Sequence, residues 1–427
     1  MRFAHLADVH IGAWREPRLK TAATFALDKA IAICIENKVD FILIAGDLLN
    51  TSLPSVDMLK SLVLKIIELK KKNIPIYIIP GSHDFSPSGK TMLDVLEAAG
   101  LVKNVAKGED KDGKLKLRFT IDEKTGAKIT GIIGRRGMLD KKFYENLDTD
   151  NLQKEKGFKI FMFHTAISEF KPKDMGQMES MPMSYLPRGF DYYAGGHVHS
   201  MLNQDVPSHG KVAMPGPLFP CNFKELEKQK RGGFFIYDDK DGLLWVPIEL
   251  YKVCPLTIEC DEKKPEQVVT KIRELIRKED FKDTIVTLRF KGKLDCSRIT
   301  EIDFKGIFNG IYEKGAFLVL KNTSSLTTKE FEEIKVNLDS VNEIEDSIIQ
   351  EHLGSVPLPK IRSEHEFSLI KELLMSFDLE KDEGETTTDF SDRVVSSADK
   401  VIQEHDNEHN GRLCRKVQNI ESLSRKA

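Results

Sequence analysis

The feature that most constrains the fold is a regular alternation of short apolar runs and longer helical patterns through the first 250 residues. The runs are bounded by Gly, Pro or Asp, as is typical of buried strands. Between them, Leu19–Glu36 carries apolar residues at helical spacing, and Pro54 opens a second such pattern at Ser55–Lys72. Strand–helix–strand order predicts a layered α/β domain. The predicted strands are Arg2–Ala7, Phe41–Ala45, Ile74–Ile79, Ile129–Ile133, Ile160–Phe163 and Tyr192–Ala194.

Aspartate and histidine side chains follow these predicted strands where each strand ends. In open α/β sheets, ligands bind outside the carboxyl ends of the strands, so these side chains are expected to meet at one edge of the sheet. The glycines among them allow sharp turns and a close approach of the backbone to an ion. The segments are Asp8–His10, Gly46–Asp47, Gly81–Asp84, His164 and Gly195–His199.

These segments offer imidazoles and carboxylates, a set that suits manganese, iron or zinc. Eight such groups are too many for one ion that keeps room for water, so two ions sharing one carboxylate fit better. Asp47 is the natural bridge because it lies centrally in the set. A single Asp or His after a strand is more often a turn residue, and only the whole set predicts a metal centre.

Composition sets wider limits on the class of protein. The chain has 427 residues, 40% of them hydrophobic and 31% charged, which predicts a globular protein of more than one domain. No apolar run approaches the roughly 18 residues of a membrane span, and no signal segment is evident at the start. The six cysteines lack CxxC spacing. They are expected to be buried or idle thiols in a reducing compartment.

The formal net charge of −3 neither favours nor excludes nucleic acid as a ligand. A DNA enzyme with this charge would concentrate its cations locally, because phosphate contacts dominate affinity. Arg135 and Arg136, bracketed by glycines, are candidates for DNA binding, as are Lys171 and Lys173. Ordinary solvated charge explains each of them equally well.

The character of the chain changes near residue 250. Residues 1–250 are predicted to form the metal-binding domain. Residues 251–325 are expected to form a small α+β domain with a helix at Pro265–Lys278 and strands at Leu256–Cys260, Thr284–Phe290 and Phe317–Leu320. Residues 326–380 are expected to be helical, and residues 381–427 to be a charged, disordered tail.

Taken together, the motifs resemble the calcineurin-like metallophosphoesterase superfamily, whose pattern is DxH, GD, GNH(D/E), H and GHxH. The segments LADVHIG, VDFILIAGDLL and GGHVH are similar to those of the DNA-break-repair nucleases of the meiotic recombination eleven type, called SbcD in bacteria. This resemblance implies an α/β fold: a layered β-sandwich flanked by helices, a small capping domain, and a C-terminal helical region that binds a partner.

The resemblance also implies roles for individual residues. His83 would protonate the leaving group, and Asp84 would orient His83 by a hydrogen bond, although closing the turn is the alternative role for Asp84. Two Mn2+ ions per subunit are implied. The first would be held by Asp8, His10, Asp47 and His199, and the second by Asp47, Ser82, His164 and His197.

Three positions depart from the family pattern. Ser82 stands where the family has Asn, and its shorter hydroxyl predicts weaker binding of the second ion. Asn50 replaces a usual His near the cleaved end, which puts exonuclease efficiency or direction in doubt. The loop Pro217–Pro220 also differs from the family's substrate loop.

The implied function is a metal-dependent exonuclease and endonuclease in double-strand-break repair, acting on DNA ends and single-strand/duplex junctions. Two alternatives stay open: a calcineurin-like phosphodiesterase or phosphatase for another substrate, and a mainly non-catalytic scaffold that tethers DNA ends. The GDxVDRG segment of protein phosphatases is missing, because Leu48 follows Asp47.

The resemblance implies a homodimer, formed through Ser55–Lys72 and a helix near Thr91, without membrane association and in the cytoplasm near the nucleoid. It also implies an SMC-like coiled-coil ATPase of the SbcC type as partner. Apolar residues in two amphipathic segments are candidate anchors for that ATPase, and packing on their own domain is the alternative. These residues are Ile344, Ile348, Ile349, Leu353, Phe367, Ile370, Leu373, Leu374 and Phe377.

Overall fold

The computed structural model describes residues 1–86, 89–295, 298–328, 346, 349–350, 353, 363–379, 382, 389–403 and 405. Its strands are β1 (Arg2–Leu6), β2 (Phe41–Ala45), β3 (Ile76–Ile79), β4 (Lys103–Asn104), β5 (Gly108–Lys111), β6 (Lys114–Leu117), β7 (Thr120–Ile121), β8 (Lys128–Gly131), β9 (Lys159–His164), β10 (Tyr192–Gly196), β11 (Leu202–Val206), β12 (Gly210–Met214), β13 (Gly232–Asp238), β14 (Gly242–Ile248), β15 (Lys252–Glu259), β16 (Thr284–Leu294) and β17 (Leu318–Thr328). Its helices are α1 (Ala22–Glu36), α2 (Val56–Lys71), α3 (Met92–Ala98), α4 (Lys141–Glu145), α5 (Asp150–Lys154), α6 (Phe223–Gln229), α7 (Pro265–Lys278), α8 (Phe304–Tyr312) and α9 (Ser363–Phe377).

Two six-stranded sheets lie within residues 1–250. The strand order is β14-β13-β1-β2-β3-β4 in one sheet and β11-β12-β10-β9-β8-β7 in the other. Strands β1, β2 and β3 run parallel, as do β8, β9 and β10. The carboxyl ends of the parallel strands therefore lie at one edge of each sheet.

Alternating side chains of each strand enter different cores. On β1, Phe3 packs between the sheets, whereas Ala4 and Leu6 face the helices. The ring of Phe3 stacks on that of Phe41 with centroids 5.0 Å apart. Apolar residues of α1 and α2 cover the outer face of the first sheet. Residues of α4 and α5 cover the outer face of the second, so the expected β-sandwich flanked by helices is confirmed.

Local sequence accounts for the ends of the first helices. Ser55 caps α2 by accepting a hydrogen bond from the backbone amide of Met58. Thr91 and Asp94 form a capping box at the start of α3. Helix α1 begins at Ala22, three residues later than expected, and ends at Glu36 as predicted.

A three-stranded sheet in the order β15-β16-β17 follows the sandwich. Helix α7 has the predicted bounds. Strands β16 and β17 run several residues beyond the predicted ends, where polar residues predominate and hide the strand pattern. Arg289 of β16 forms an ion pair with Glu227 of α6 at 2.6 Å, which ties this sheet to a helix beside the metal centre.

The chain divides into two compact units. One comprises Met1–Cys260, Glu266–Lys291 and Ile302–Ser325, and the other comprises Asp261–Pro265, Gly292–Glu301 and Leu326–Ala427. The domain boundaries expected near residues 250, 325 and 380 stay predictions. Within the described part of the chain, every helix is too short or too polar to cross a bilayer.

Helix α9 contains the second predicted amphipathic segment. Leu369 is buried, Phe367, Ile370 and Leu373 are half-buried, and Leu374 and Phe377 are exposed. Of the first segment, Ile349 is buried and Leu353 is half-buried. Ile344 and Ile348 lie outside the described residues, as do residues 406–427. Residues 389–403, which were predicted to belong to a disordered tail, are helical.

Candidate metal centre

Side chains from three strand ends meet in a buried cluster. Asp8 follows β1, Asp47 follows β2, and His164 is the last residue of β9. Nε2 of His164 lies 3.1 Å from Oδ2 of Asp47 and 4.0 Å from Oδ1 of Asp8. The donor atoms of the three residues lie within 4.8 Å of one another, close enough to bind one cation.

His10 and His199 add a second group beside the same carboxylates. Their Nε2 atoms face each other at 3.1 Å. Nε2 of His10 is 3.6 Å from Oδ2 of Asp47, and Nε2 of His199 is 3.6 Å from Oδ1 of Asp8. Asp47 therefore reaches both groups, in the position expected of a bridging carboxylate.

The backbone at this edge is strained. Asp8, His10, Asp47 and His197 all have positive φ values between 48° and 83°, a conformation that costs free energy for residues with a side chain. Gly46 is required for another reason, because a Cβ there would lie 2.2 Å from Nδ1 of His164. The packing around the cluster thus excludes larger residues from the turn before Asp47.

Hydrogen bonds fix two of the imidazoles. Nδ1 of His164 donates to the backbone carbonyl of Ala45 at 2.7 Å, and Nδ1 of His199 lies 2.9 Å from Oε1 of Glu225. Both rings therefore direct Nε2 into the cluster, as the outer partners of metal-bound histidines do. Sequence reasoning missed Glu225. The spacing of Asn222 and Glu225 indicates a helix start, and the structure shows that cap at α6, but spacing does not reveal that Glu225 also reaches His199.

Electrostatic interactions within the cluster are strong. Burial alone would raise the pKa of Asp8, but the neighbouring His199, His164 and His10 lower it to about 2. Burial would lower the pKa of His164, but Asp47 and Asp8 raise it to about 9. Two buried carboxylates thus attract positive charge into the cluster, which is the environment that a divalent cation requires.

The donor set fits a divalent metal. Nε2 of His164 is buried and lies 3.1 Å from Oδ2 of Asp47 without the geometry of a hydrogen bond. A metal ion bound there would replace the proton that the carboxylates otherwise hold on the ring. A neutral imidazole nitrogen in that position has the lone pair that a metal ion accepts. Oxygen and nitrogen donors of this kind suit manganese, iron or zinc.

Ser82 and His197 lie at the margin of the cluster. Oγ of Ser82 is 3.4 Å from Oδ2 of Asp47. The ring of His197 meets that of His164 edge-on, with centroids 5.2 Å apart, and its backbone amide donates to Asp8 at 3.0 Å. Among the residues that the structure covers, the three compact groups of metal-donor atoms do not include His197.

His83 borders the cluster. Its Nδ1 lies 2.9 Å from the carbonyl oxygen of Asn50, and its backbone amide donates to Oδ1 of Asp47 at 2.7 Å. Its ring meets that of His10 edge-on with centroids 4.9 Å apart. His83 also forms a third donor group with His10 and Asp47, so a role as a ligand competes with the expected role as an acid.

The contacts of Asp84 differ from the expected hydrogen bond to His83. Its two carboxylate oxygens accept hydrogen bonds from the backbone amides of Leu49 at 3.0 Å and Gly81 at 2.9 Å. The partner of His83 Nδ1 is instead the Asn50 carbonyl. Asp84 therefore closes the turn, because two buried amides need an acceptor there. Burial and the nearby Asp47 raise the pKa of Asp84 to about 7.

A cleft of 460 Å³ opens beside the cluster and is lined by Ser82, His83, Arg135 and Arg136. The guanidinium of Arg136 lies 3.4 Å from Nδ1 of His83. That of Arg135 lies over the ring of Phe85 at 5.3 Å. Both arginines are exposed, and they make the wall of this cleft positively charged.

Comparisons with known proteins agree with this geometry. Residues 1–201 match the family model described as Calcineurin-like phosphoesterase, and the chain therefore contains a calcineurin-like metallophosphoesterase domain, as its motifs predict. Two relatives named DNA double-strand break repair protein Mre11 align along most of the chain. The one from Archaeoglobus fulgidus is 27% identical over 78% of this chain and 79% of its own length. The one from Methanococcus maripaludis is 26% identical over 81% of this chain and 89% of its own length.

A solved structure of a dimetal phosphatase from Danio rerio is also similar. It is 12% identical, and the match covers 58% of this chain and 99% of that protein with a TM-score of 0.37.

Proposed function

We propose that this protein is a metal-dependent nuclease that hydrolyses phosphodiester bonds at DNA ends during double-strand-break repair. The observation that carries the proposal is the convergence of Asp8, Asp47 and His164 with the facing pair His10 and His199. The Mre11 relatives support DNA as the substrate, because they align with the residues after the metal domain as well as with the metal domain itself.

The donor groups support two Mn2+ ions bridged by Asp47. When bound, such a pair polarises the phosphoryl oxygens and lowers the pKa of a water molecule for in-line attack. The first ion would be held by Asp8, His10, Asp47 and His199, and the second by Asp47, Ser82, His164 and His197.

His83 would supply the proton that the leaving sugar oxygen needs. Its Nδ1 holds a proton toward the Asn50 carbonyl, and in the protonated ring Nε2 donates to the leaving oxygen. Arg136 lies beside His83 and would bind a phosphate of the same strand, and Arg135 lines the same cleft. DNA ends and single-strand/duplex junctions are the proposed substrates, cut in exonuclease and endonuclease modes.

Partner surfaces follow from exposed apolar side chains. Leu64 of α2 and Val95 of α3 are exposed, which supports a homodimer formed through these helices. Leu374 and Phe377 of α9 are exposed, which supports docking of this helix into a groove of an SMC-like ATPase. Phe367, Ile370 and Leu373 would reach such a groove only in part, because each is half-buried.

The proposal is tested with the purified full chain, Mn2+ and an end-labelled DNA duplex. We expect nicking or shortening of the labelled strand. The control is Asp47→Asn, which retains the backbone conformation because Asn tolerates positive φ, but removes the bridging charge and should abolish cleavage.

Two other outcomes would reject the proposal. Hydrolysis of a small phosphate ester without DNA cleavage would indicate a phosphatase or a phosphodiesterase for another substrate. Binding of DNA without turnover would indicate a scaffold that tethers DNA ends.

A further inference from the structure

Cys221 lies beside the metal centre, although the scattered cysteines of the sequence predict idle thiols. Its sulfur and the ring nitrogens of His10 and His199 all lie within 4.8 Å of one another. Cys221 directly follows Pro217–Pro220, the loop that differs from the family's substrate loop. A third type of donor therefore adjoins the imidazoles proposed for the first ion.

The same carboxylate positions Cys221 and His199. Oε2 of Glu225 accepts a hydrogen bond from the Cys221 amide at 2.8 Å, while Oε1 lies 2.9 Å from Nδ1 of His199. Glu225 sits in the first turn of α6, whose N-cap is Asn222. One side chain thus couples the thiol-bearing loop to a proposed metal ligand.

The loop before Cys221 is anchored as well. Pro220 precedes Cys221, and the Pro220 carbonyl accepts a hydrogen bond from the indole of Trp14 at 2.8 Å. The thiol itself donates to the carbonyl of Phe219 at 3.4 Å. A weak thiol hydrogen bond of this kind can be exchanged for a stronger bond to a metal.

We propose that Cys221 is an additional ligand of the first metal site and that it raises the affinity of this site for Zn2+ and Co2+ while leaving its affinity for Mn2+ nearly unchanged. The inference rests on the proposed metal centre. Thiolate sulfur is a soft donor that favours zinc, whereas carboxylate and water suit manganese. On binding, the S–H bond breaks, the proton passes to solvent, and a sulfur–metal bond forms.

The observed spacing fits this chemistry. Zinc bonds of about 2.0–2.3 Å would separate neighbouring ligand atoms by roughly 3–3.5 Å, whether four or five ligands are bound. The Nε2 atoms of His10 and His199 are 3.1 Å apart, and the sulfur of Cys221 lies within 4.8 Å of a ring nitrogen of each residue. Side-chain rotation would bring all three donors to one ion.

The test is a Co2+ titration of the full chain after removal of metals with a chelator, followed by ultraviolet and visible absorption. We expect visible cobalt bands together with a near-ultraviolet sulfur-to-cobalt charge-transfer band. Cys221→Ser and Cys221→Ala should lose the charge-transfer band and keep the visible bands, which report an intact site. Cys254→Ser, a half-buried cysteine of β15, is the matched control and should keep both.

Affinity gives a second measurement. Cys221→Ser should weaken Zn2+ binding about tenfold or more, by analogy with the loss of an outer partner. Its Mn2+ affinity should change by less than about threefold, because sulfur contributes little to manganese binding. Equal losses for both ions would overturn the proposed selectivity.

The outcomes separate this inference from the proposed function. Visible cobalt bands without a sulfur band, or a sulfur band that persists in Cys221→Ser, would overturn the role of Cys221 alone. Failure of the protein to bind cobalt at all would overturn both the role of Cys221 and the metal centre of the proposed nuclease.

Discussion

The two sides of the metal centre are built unequally around the shared carboxylates. On the first side, His10 and His199 face each other at 3.1 Å, and Glu225 supports His199. On the second side, Nε2 of His164 lies 3.1 Å from Oδ2 of Asp47. The hydroxyl of Ser82 lies 3.4 Å from the same oxygen. A neutral hydroxyl is a weaker ligand than an amide carbonyl or an imidazole, so the two proposed ions would differ in affinity.

This difference shows where the protein controls metal binding. The first side is supported by Glu225 of α6, which lies outside the motifs and contacts His199. The second side combines His164 and His197 with the turn after β3. In that turn Asp84 accepts hydrogen bonds from the amides of Leu49 and Gly81 and so fixes the position of Ser82 and His83. Changes on the two sides should therefore have separable effects.

The largest effect is expected for His83→Ala, which asks whether His83 belongs to the first side as a ligand. If His83 is the acid, the cleavage rate falls by about 10²–10⁴-fold while two ions stay bound, because only the proton donor is lost. Rates under single-turnover conditions and metal content by mass spectrometry check this. Loss of an ion together with activity would show that His83 completes the group with His10 and Asp47.

The next effect is expected for Glu225→Gln, which weakens the first side only. An amide cannot accept hydrogen bonds through both of its terminal atoms, so the contact with either His199 or the Cys221 amide is lost. We expect a loss of about 10–100-fold in affinity for the first ion, measured by calorimetry. Glu109→Gln, an exposed carboxylate of β5, is the control and should bind both ions normally. Equal weakening of both sites would contradict the separation of the two sides.

A gain of about tenfold in affinity for the second ion is expected for Ser82→Asn, since the amide oxygen reaches farther than the hydroxyl. Ser82→Ala should bind the second ion no better than the unaltered protein. Calorimetric titration with Mn2+ resolves the two steps. If Ser82→Asn and Ser82→Ala bind the second ion with the same affinity, the residue at position 82 is not a ligand. The difference between the two sides then has another origin.

The smallest effect is expected for Arg136→Ala, which leaves both ions in place. Loss of one phosphate contact should weaken DNA binding uniformly across sequences and reduce the salt dependence of the affinity by about one unit of slope. Fluorescence anisotropy at several salt concentrations measures both. Arg118→Ala, an exposed arginine at the end of β6, is the matched control. An unchanged salt dependence of DNA affinity in Arg136→Ala would show that the cleft beside His83 does not contact the DNA.

Much of the fold was predictable because its signals are local. The apolar run Phe41–Ala45 is β2 with the expected bounds, and Pro265–Lys278 is α7. Strands β16 and β17 are longer than predicted because pairing with neighbours extends them through polar residues. The local pattern of polar and apolar residues cannot reveal a pairing with a strand that lies elsewhere in the chain.

By itself, the sequence determined that carboxylates and imidazoles stand at successive strand ends, and parallel strands must bring such ends to one edge. Only the tertiary structure decided what supports them. The carboxylate of Glu225 contacts His199, the carbonyl of Asn50 contacts His83, and the sulfur of Cys221 lies beside His10 and His199. The reason is physical. Strand ends are placed by the regular geometry of the sheet, whereas these contacts depend on loop conformations and on distances between segments that no local spacing encodes.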